Sequence, residues 1–141
     1  MIGGAVLLIA LVIWRPWGAY FGPATPVQHH GTISDAYAFA ASVGGRVETV
    51  LTNETFSSMS PNISLGDAVI CRPKAFADLV VGDIVVRVGV APDGGQTYHR
   101  LKSRNPDGSF RTEGDSNPSA DQQPMTEADY RGFVITDTFR P

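Results

Sequence analysis

The sequence predicts a mainly β domain with one short helix, preceded by an apolar N-terminal helix. Fifteen glycines and ten prolines in 141 residues favour many turns, and therefore short strands. From residue 46 onward, short apolar or alternating runs follow one another, separated by turn sequences such as "APDGG" and "NPDGS". An uncharged run, "IGGAVLLIALVIW", opens the chain. The length allows one domain with a modest core.

Composition and charge narrow the classes of function. The formal net charge is −3 and the sequence contains no basic run, so we do not expect a nucleic acid partner. Cys71 is the only cysteine, which excludes an internal disulfide and a cysteine-based metal site. Its apolar surroundings predict a buried packing role. His29 and His30 form a bare pair in a proline-rich stretch, and we expect them to be solvated rather than metal-bound.

Residues 1–21 are predicted to be a membrane anchor. Residues 2–14 carry no charge; at ~1.5 Å per residue they reach about 20 Å, which is short against a hydrocarbon core of ~30 Å. The aromatic residues Trp17, Tyr20 and Phe21 extend the segment, although Arg15 and Pro16 interrupt it. A buried core helix and a cleaved signal peptide are the alternatives. One charge, Arg15, leaves the membrane orientation open.

Residues 22–45 are predicted to be a linker and a short helix. Prolines, glycines and small polar residues mark residues 21–31 as the linker. The helix lies in "TISDAYAFAASVGG". Ser34 is expected to cap its first amides, Asp35 suits the positive helix start, and Gly44 and Gly45 end the helix.

Residues 46–141 are predicted to be the β catalytic domain. Strands are expected in "RVETVLT", "DAVICRP", "TYHRLKSR", "FRTEGD" and "YRGFVITD". The segment "DLVVGDIVVRVGV" contains two further apolar runs, hinged at Gly82 and Asp83. The two turn sequences predict two hairpins, on either side of the "TYHRLKSR" strand.

Three polar positions suggest nucleophilic catalysis. Ser58 lies in a turn, His99 in a strand, and Asp115 and Asp121 in a polar loop. A serine hydroxyl is a poor nucleophile near neutral pH until a base takes its proton. Histidine suits that task, and a carboxylate can orient the imidazole and stabilise its charged form. The alternative from spacing alone is a turn serine, a half-exposed histidine and a solvated acidic loop.

Ordered motifs add a family resemblance. The segments "SSMSPNISLGDAVI", "VVGDIVVRV", "YHRL", "RTEGDSNPSAD" and "RGFV" resemble, in order, the conserved boxes of the type I signal peptidase family. The resemblance covers roughly residues 47–134. It implies a coiled β-sheet or partial barrel, together with an N-terminal membrane helix.

The resemblance also implies roles for individual residues. The Ser-Met-x-Pro turn supplies the nucleophile, which is Ser58 here. The position before Arg100 supplies the general base, and His99 places the chain with the Ser–His subgroup (archaeal, endoplasmic-reticulum and some Gram-positive enzymes). Asp121 matches the carboxylate that partners the histidine. Asp115 matches the aspartate of the Gly-Asp box and is expected to support the site.

Two departures from the family pattern affect the expected activity. The family often has a serine hydroxyl where Phe56 stands, so the oxyanion hole is expected to use the Ser58 backbone amide and Ser57. Pro118 replaces a freer residue and fixes φ near the loop that carries Asp121. The resemblance implies shallow apolar pockets for the small side chains of the substrate. The expected positions of side chains on alternate faces of the strands suggest four residues as the pocket walls: Phe56, Met59, Val69 and Ile84.

The sequence thus predicts a membrane-anchored, single-pass serine endopeptidase with an extracytoplasmic catalytic domain. The resemblance implies cleavage of signal peptides on preproteins, after small residues and without a metal or organic cofactor. The lipid bilayer and preproteins are the expected partners. One alternative is a weak or inactive homologue that binds signal-peptide-like segments. Another is a self-cleaving repressor-type peptidase, which uses a lysine base.

Overall fold

A computed structural model describes residues 27–49 and 58–140 of the chain. In this part, seven strands form one curled sheet and one α-helix packs against it. The prediction of a mainly β domain with one short helix is therefore confirmed at this level. The predicted anchor, residues 1–21, lies outside the described residues. Within the described ranges, no helix has the length and apolar character needed to cross a membrane.

The sheet joins strands that are distant in sequence. Its order is β2-β3-β7-β4-β5-β6, with β1 paired in parallel to the C-terminal end of β7. The other pairings are antiparallel. The elements are β1 (Gln28–His30), α1 (Ile33–Val43), β2 (Arg46–Thr49), β3 (Ala68–Arg72), β4 (Ile84–Arg87), β5 (Thr97–Arg104), β6 (Phe110–Glu113) and β7 (Tyr130–Phe139).

The N-cap of helix α1 lies two residues before the predicted one. The N-cap is Thr32, not Ser34: the Thr32 hydroxyl accepts a hydrogen bond from the Asp35 amide, and the Asp35 carboxylate accepts one from the Thr32 amide. This reciprocal pair satisfies two backbone donors at once, which a cap at Ser34 would not do. The predicted end is confirmed, because Gly44 adopts the left-handed conformation with φ of 67°.

Part of the predicted linker is a strand. Gln28–His30 form β1 and pair with residues 137–139 of β7, where β4 no longer covers that edge. The His29 ring nitrogen Nδ1 lies 2.7 Å from the Thr138 hydroxyl. The local sequence does not reveal this strand, because β7, the strand with which it pairs, is supplied by the far end of the chain.

The two predicted hairpins are present, but the first apolar run before Gly82 is not a strand. Strands β4 and β5 pair across "APDGG", and β5 and β6 across "NPDGS". In contrast, the residues before Gly82 form a turn in which the Val80 amide donates to the Asp83 carboxylate. Leu79 is buried and Val80 is exposed. The run is apolar because Leu79 enters the core, not because it pairs in the sheet.

The two faces of the sheet pack against separate apolar clusters. The face that carries His99 covers Leu79, Val85, Leu101, Phe110 and Met125. Helix α1 packs Ala36 and Ala40 against a second cluster beside it. The opposite face holds the largest cluster among the described residues, which consists of Val27, Met59, Ile63, Val69, Cys71, Ile84, Val86, Tyr98 and Val134. Cys71 is fully buried, as predicted. Burial raises the pKa of its thiol to about 12.

Candidate active site

The structure brings Ser58, His99 and Asp121 together. The Ser58 hydroxyl lies 3.1 Å from Nε2 of His99. Nδ1 of the same ring lies 2.6 Å from Oδ2 of Asp121. His99 is the third residue of β5, and Asp121 lies in the loop between β6 and β7. Three separate parts of the chain therefore meet at one imidazole ring.

This geometry suits proton transfer from the serine hydroxyl. A carboxylate accepts hydrogen bonds, so the Asp121 contact places the ring proton on Nδ1. Nε2 then carries the lone pair and can accept the Ser58 proton. The side chains of His99 and Asp121 are only 2% and 6% exposed, so little water competes for either ring nitrogen. The arrangement is that of a nucleophile, a general base and an orienting carboxylate.

The Gly-Asp loop after β6 holds the Ser58 turn in place. The Ser116 amide donates to the Ser58 carbonyl oxygen at 2.8 Å. Gly114 lies so close that a Cβ there would sit 2.7 Å from Ser58 Cβ and 2.8 Å from the Ser58 carbonyl oxygen. Such distances are too short for any side chain. The glycine is therefore required for the loop to approach the nucleophile.

Asp115 supports the turn but binds arginine rather than His99. Both carboxylate oxygens accept hydrogen bonds from the Arg100 guanidinium at 2.8 Å. The Asn62 side-chain amide donates to the same carboxylate at 2.8 Å, and the Asp115 backbone amide donates to Sδ of Met59 at 3.4 Å. Arg100 and Asp115 are 0% and 7% exposed. This buried ion pair joins β5 to the segment that follows Ser58.

The predicted pocket walls need correction. Met59, Val69 and Ile84 are at most 1% exposed and belong to the largest core cluster. Side chains buried this deeply cannot line a pocket without rearrangement, so these three are core residues in this structure. Strand phase predicted their apolar surroundings but not that another layer covers them. Phe56 and Ser57, the remaining wall and oxyanion candidates, lie outside the described residues.

Pro118 lies in the loop that delivers Asp121. This loop borders an open cavity of about 350 Å³ that is lined by residues 117–123 together with Gly89 and Val90. Asp121 reaches His99 at 2.6 Å with Pro118 in place. The fixed φ of the proline is thus compatible with the contact between Asp121 and His99.

Two site residues, Arg87 and Thr112, were missed by the sequence analysis. The Thr112 hydroxyl donates to Oδ2 of Asp121 and accepts from Arg87 at 2.7 Å. The Asp121 backbone amide also donates to the Thr112 carbonyl oxygen at 2.9 Å. One signal was present for Arg87: it is a charged residue at the end of an apolar strand, in phase with the buried Val85. Thr112 gives no comparable signal.

No protein family, no curated protein and no solved structure matches this chain. The assignment of a function therefore rests on the geometry of the site and on the ordered motifs of the sequence.

Proposed function

We propose that this chain is a membrane-anchored serine endopeptidase of the signal peptidase type, which cleaves extended peptides after small residues. His99 Nε2 takes the proton of Ser58 as Oγ bonds to the substrate carbonyl carbon. The tetrahedral intermediate then collapses, and His99 gives the proton to the leaving amine. Water attacks the resulting ester with His99 again as the base, which releases the acid product and restores Ser58.

One observation carries this proposal: the hydrogen-bonded series from Ser58 through His99 to Asp121. A chance turn serine would not need a buried imidazole at 3.1 Å with a buried carboxylate behind it. Removing an imidazole and a carboxylate from water costs free energy even when the two are paired, so the arrangement is maintained against a desolvation penalty. Groups held in this way are typical of functional sites.

Other features agree with the signal peptidase type. The curled sheet of the described residues is compatible with the partial barrel that the resemblance implies. Histidine at position 99 favours the Ser–His subgroup over the self-cleaving repressors, whose base is lysine. Residues 1–21 would anchor the chain, with the catalytic domain outside the cytoplasm and preproteins as substrates. Neither a metal nor an organic cofactor takes part in this mechanism.

A pair of reporter peptides tests the proposal. The full chain in detergent micelles is expected to cleave an Ala-x-Ala peptide after the second alanine, and to leave a matched Leu-x-Leu peptide intact. Ser58→Ala should abolish cleavage. Ser60→Ala, the same chemical change two residues away, should retain most of it.

Three results would count against the proposal. Equal cleavage by Ser58→Ala and the unaltered chain would assign the activity to another group or to a contaminant. Binding of the reporter without turnover would favour the non-catalytic homologue. Intramolecular cleavage alone, without turnover of the reporter, would favour the self-cleaving alternative.

A further inference from the structure

Arg87 carries a buried charge behind the proposed catalytic residues. It ends strand β4 and is 1% exposed. In the sheet, Arg87 pairs with Thr97 and Val85 pairs with His99. Cross-strand partners and residues two apart share a face, so Arg87 lies on the same face of the sheet as His99. Arginine is rarely fully buried unless a specific partner compensates its charge.

Its hydrogen bonds converge on the segment that holds Asp121. Nε donates to the Val88 carbonyl oxygen at 3.1 Å. One terminal nitrogen donates to the Thr112 hydroxyl at 2.7 Å and to the Gln123 carbonyl oxygen at 3.0 Å. The same nitrogen lies 3.8 Å from Oδ2 of Asp121. Thr112 therefore bridges the guanidinium to the carboxylate that orients His99.

Other charged groups lie on the elements around this site. Asp129, just before β7, interacts electrostatically with Arg87. On the opposite face of β5, Arg100 is neutralised by Asp115. Glu113, at the end of β6, is only partly buried and pairs with Arg100 in the register of the sheet. Burial lowers the pKa of the Arg87 guanidinium, while the carboxylates of Asp121 and Asp129 oppose that shift.

The charge of Arg87 enters the balance of charge around the imidazole. The three buried side chains, positive Arg87, negative Asp121 and neutral His99, sum to zero, whereas Asp129 is only partly buried. Without Arg87, the same region would hold one uncompensated negative charge. Because burial disfavours net charge, His99 would then take up a proton more readily and form an imidazolium–carboxylate pair with Asp121. An imidazolium has no free lone pair at Nε2 and cannot accept the Ser58 proton.

We propose that Arg87 is a positioning residue which, through Thr112 and Asp121, keeps His99 neutral and able to accept a proton down to lower pH. Its importance for catalysis rests on the proposed function, whereas its effect on protonation does not. The charge of residue 87 is what matters in this account. Lysine at this position should therefore retain most of the effect, although it cannot reproduce the forked hydrogen bonds of arginine.

Imidazole NMR titration of the full chain tests this inference without any peptidase activity. The chain has three histidines, so His29 and His30 serve as internal references and His99→Ala assigns the third signal. In Arg87→Gln, the pH midpoint of His99 should rise by about one pH unit, the lower end of what a nearby charge produces. Arg87→Lys should stay close to the unaltered chain. Arg131→Gln, which removes an exposed arginine that also donates to backbone carbonyls, should leave the midpoint unchanged.

A peptidase assay adds a second readout. In Arg87→Gln, the acidic limb of the pH profile of kcat/KM for the reporter peptide should shift to higher pH, together with the NMR midpoint of His99. At pH values above that limb, kcat should recover. A purely structural role would lower the free energy of unfolding without moving either midpoint. If Arg87→Gln does not fold, Thr112→Val replaces it. Valine cannot donate the hydrogen bond that Thr112 gives to Asp121. The Asp121 carboxylate should then interact more strongly with an imidazolium, so the pH midpoint of His99 should again rise.

The outcomes separate the two proposals. A folded Arg87→Gln or Thr112→Val protein with an unchanged or lowered His99 midpoint would overturn the role of Arg87. If the His99 midpoint rises in these variants but the unaltered chain cleaves no peptide, the role of Arg87 is supported and the proposed function is contradicted.

Discussion

Replacement of His99 by alanine is expected to lower kcat for the reporter peptide by about 10⁴- to 10⁶-fold. The Ser58 hydroxyl would lose the acceptor that now lies 3.1 Å away, and with it the base that the proposed mechanism uses. Residues that act as one unit are not additive. The double variant Ser58→Ala/His99→Ala should therefore be no slower than either single variant. Rates under single-turnover conditions provide the measurement.

His29→Ala is the matched control for this prediction. His29 contacts Thr138 at the edge of the sheet and has no place in the proposed mechanism, so its replacement should leave kcat nearly unchanged. A further large loss of rate in the double variant would show that Ser58 and His99 act independently. That result would contradict the proposed proton transfer between them.

Replacement of Arg100 by methionine is expected to lower the free energy of unfolding by roughly 3–5 kcal/mol. Methionine fills part of the volume, but it leaves the Asp115 carboxylate buried without its cation. The Asn62 amide, which also donates to Asp115, compensates only part of that loss. Because Asp115 connects β5 to the segment after Ser58, we also expect activity to fall in the protein that remains folded. Urea denaturation followed by circular dichroism measures the stability change.

Arg46→Met is the control for the buried pair. Arg46 bonds Glu48 at 2.8 Å, but its side chain is 54% exposed. An exposed pair of this kind contributes about 1 kcal/mol or less. Similar losses of stability for Arg100→Met and Arg46→Met would mean that burial adds nothing to the Arg100–Asp115 pair. The support that we assign to Asp115 would then have no energetic basis.

The sequence was sufficient to predict the elements that are determined by residues close together in the chain. Turn sequences predicted both hairpins, and with them β5 as the strand that lies between the two turns. The choice between Asp115 and Asp121 as the histidine partner came from the resemblance alone, and the structure places Asp121 there. The roles of these residues in catalysis stay predictions.

What the sequence did not reveal depends on contacts between distant segments. Strand β1 exists because β7 offers a free edge more than a hundred residues later, as the separation of 109 residues between His29 and Thr138 illustrates. Arg87 becomes part of the site only because β6 brings Thr112 between it and Asp121. Val69 and Ile84 have the alternation of pocket walls, but only the fold shows that core side chains cover them.

A ¹³C-labelled Ala-x-Ala peptide aldehyde tests the central claim most directly, namely that His99 activates Ser58 as a nucleophile. Oγ should add to the aldehyde carbon, and its proton should pass to the aldehyde oxygen through His99. The account predicts a hemiacetal carbon signal with the unaltered chain, absent in Ser58→Ala and strongly reduced in His99→Ala. A hemiacetal that persists in Ser58→Ala, or only free and hydrated aldehyde with the unaltered folded chain, would contradict it.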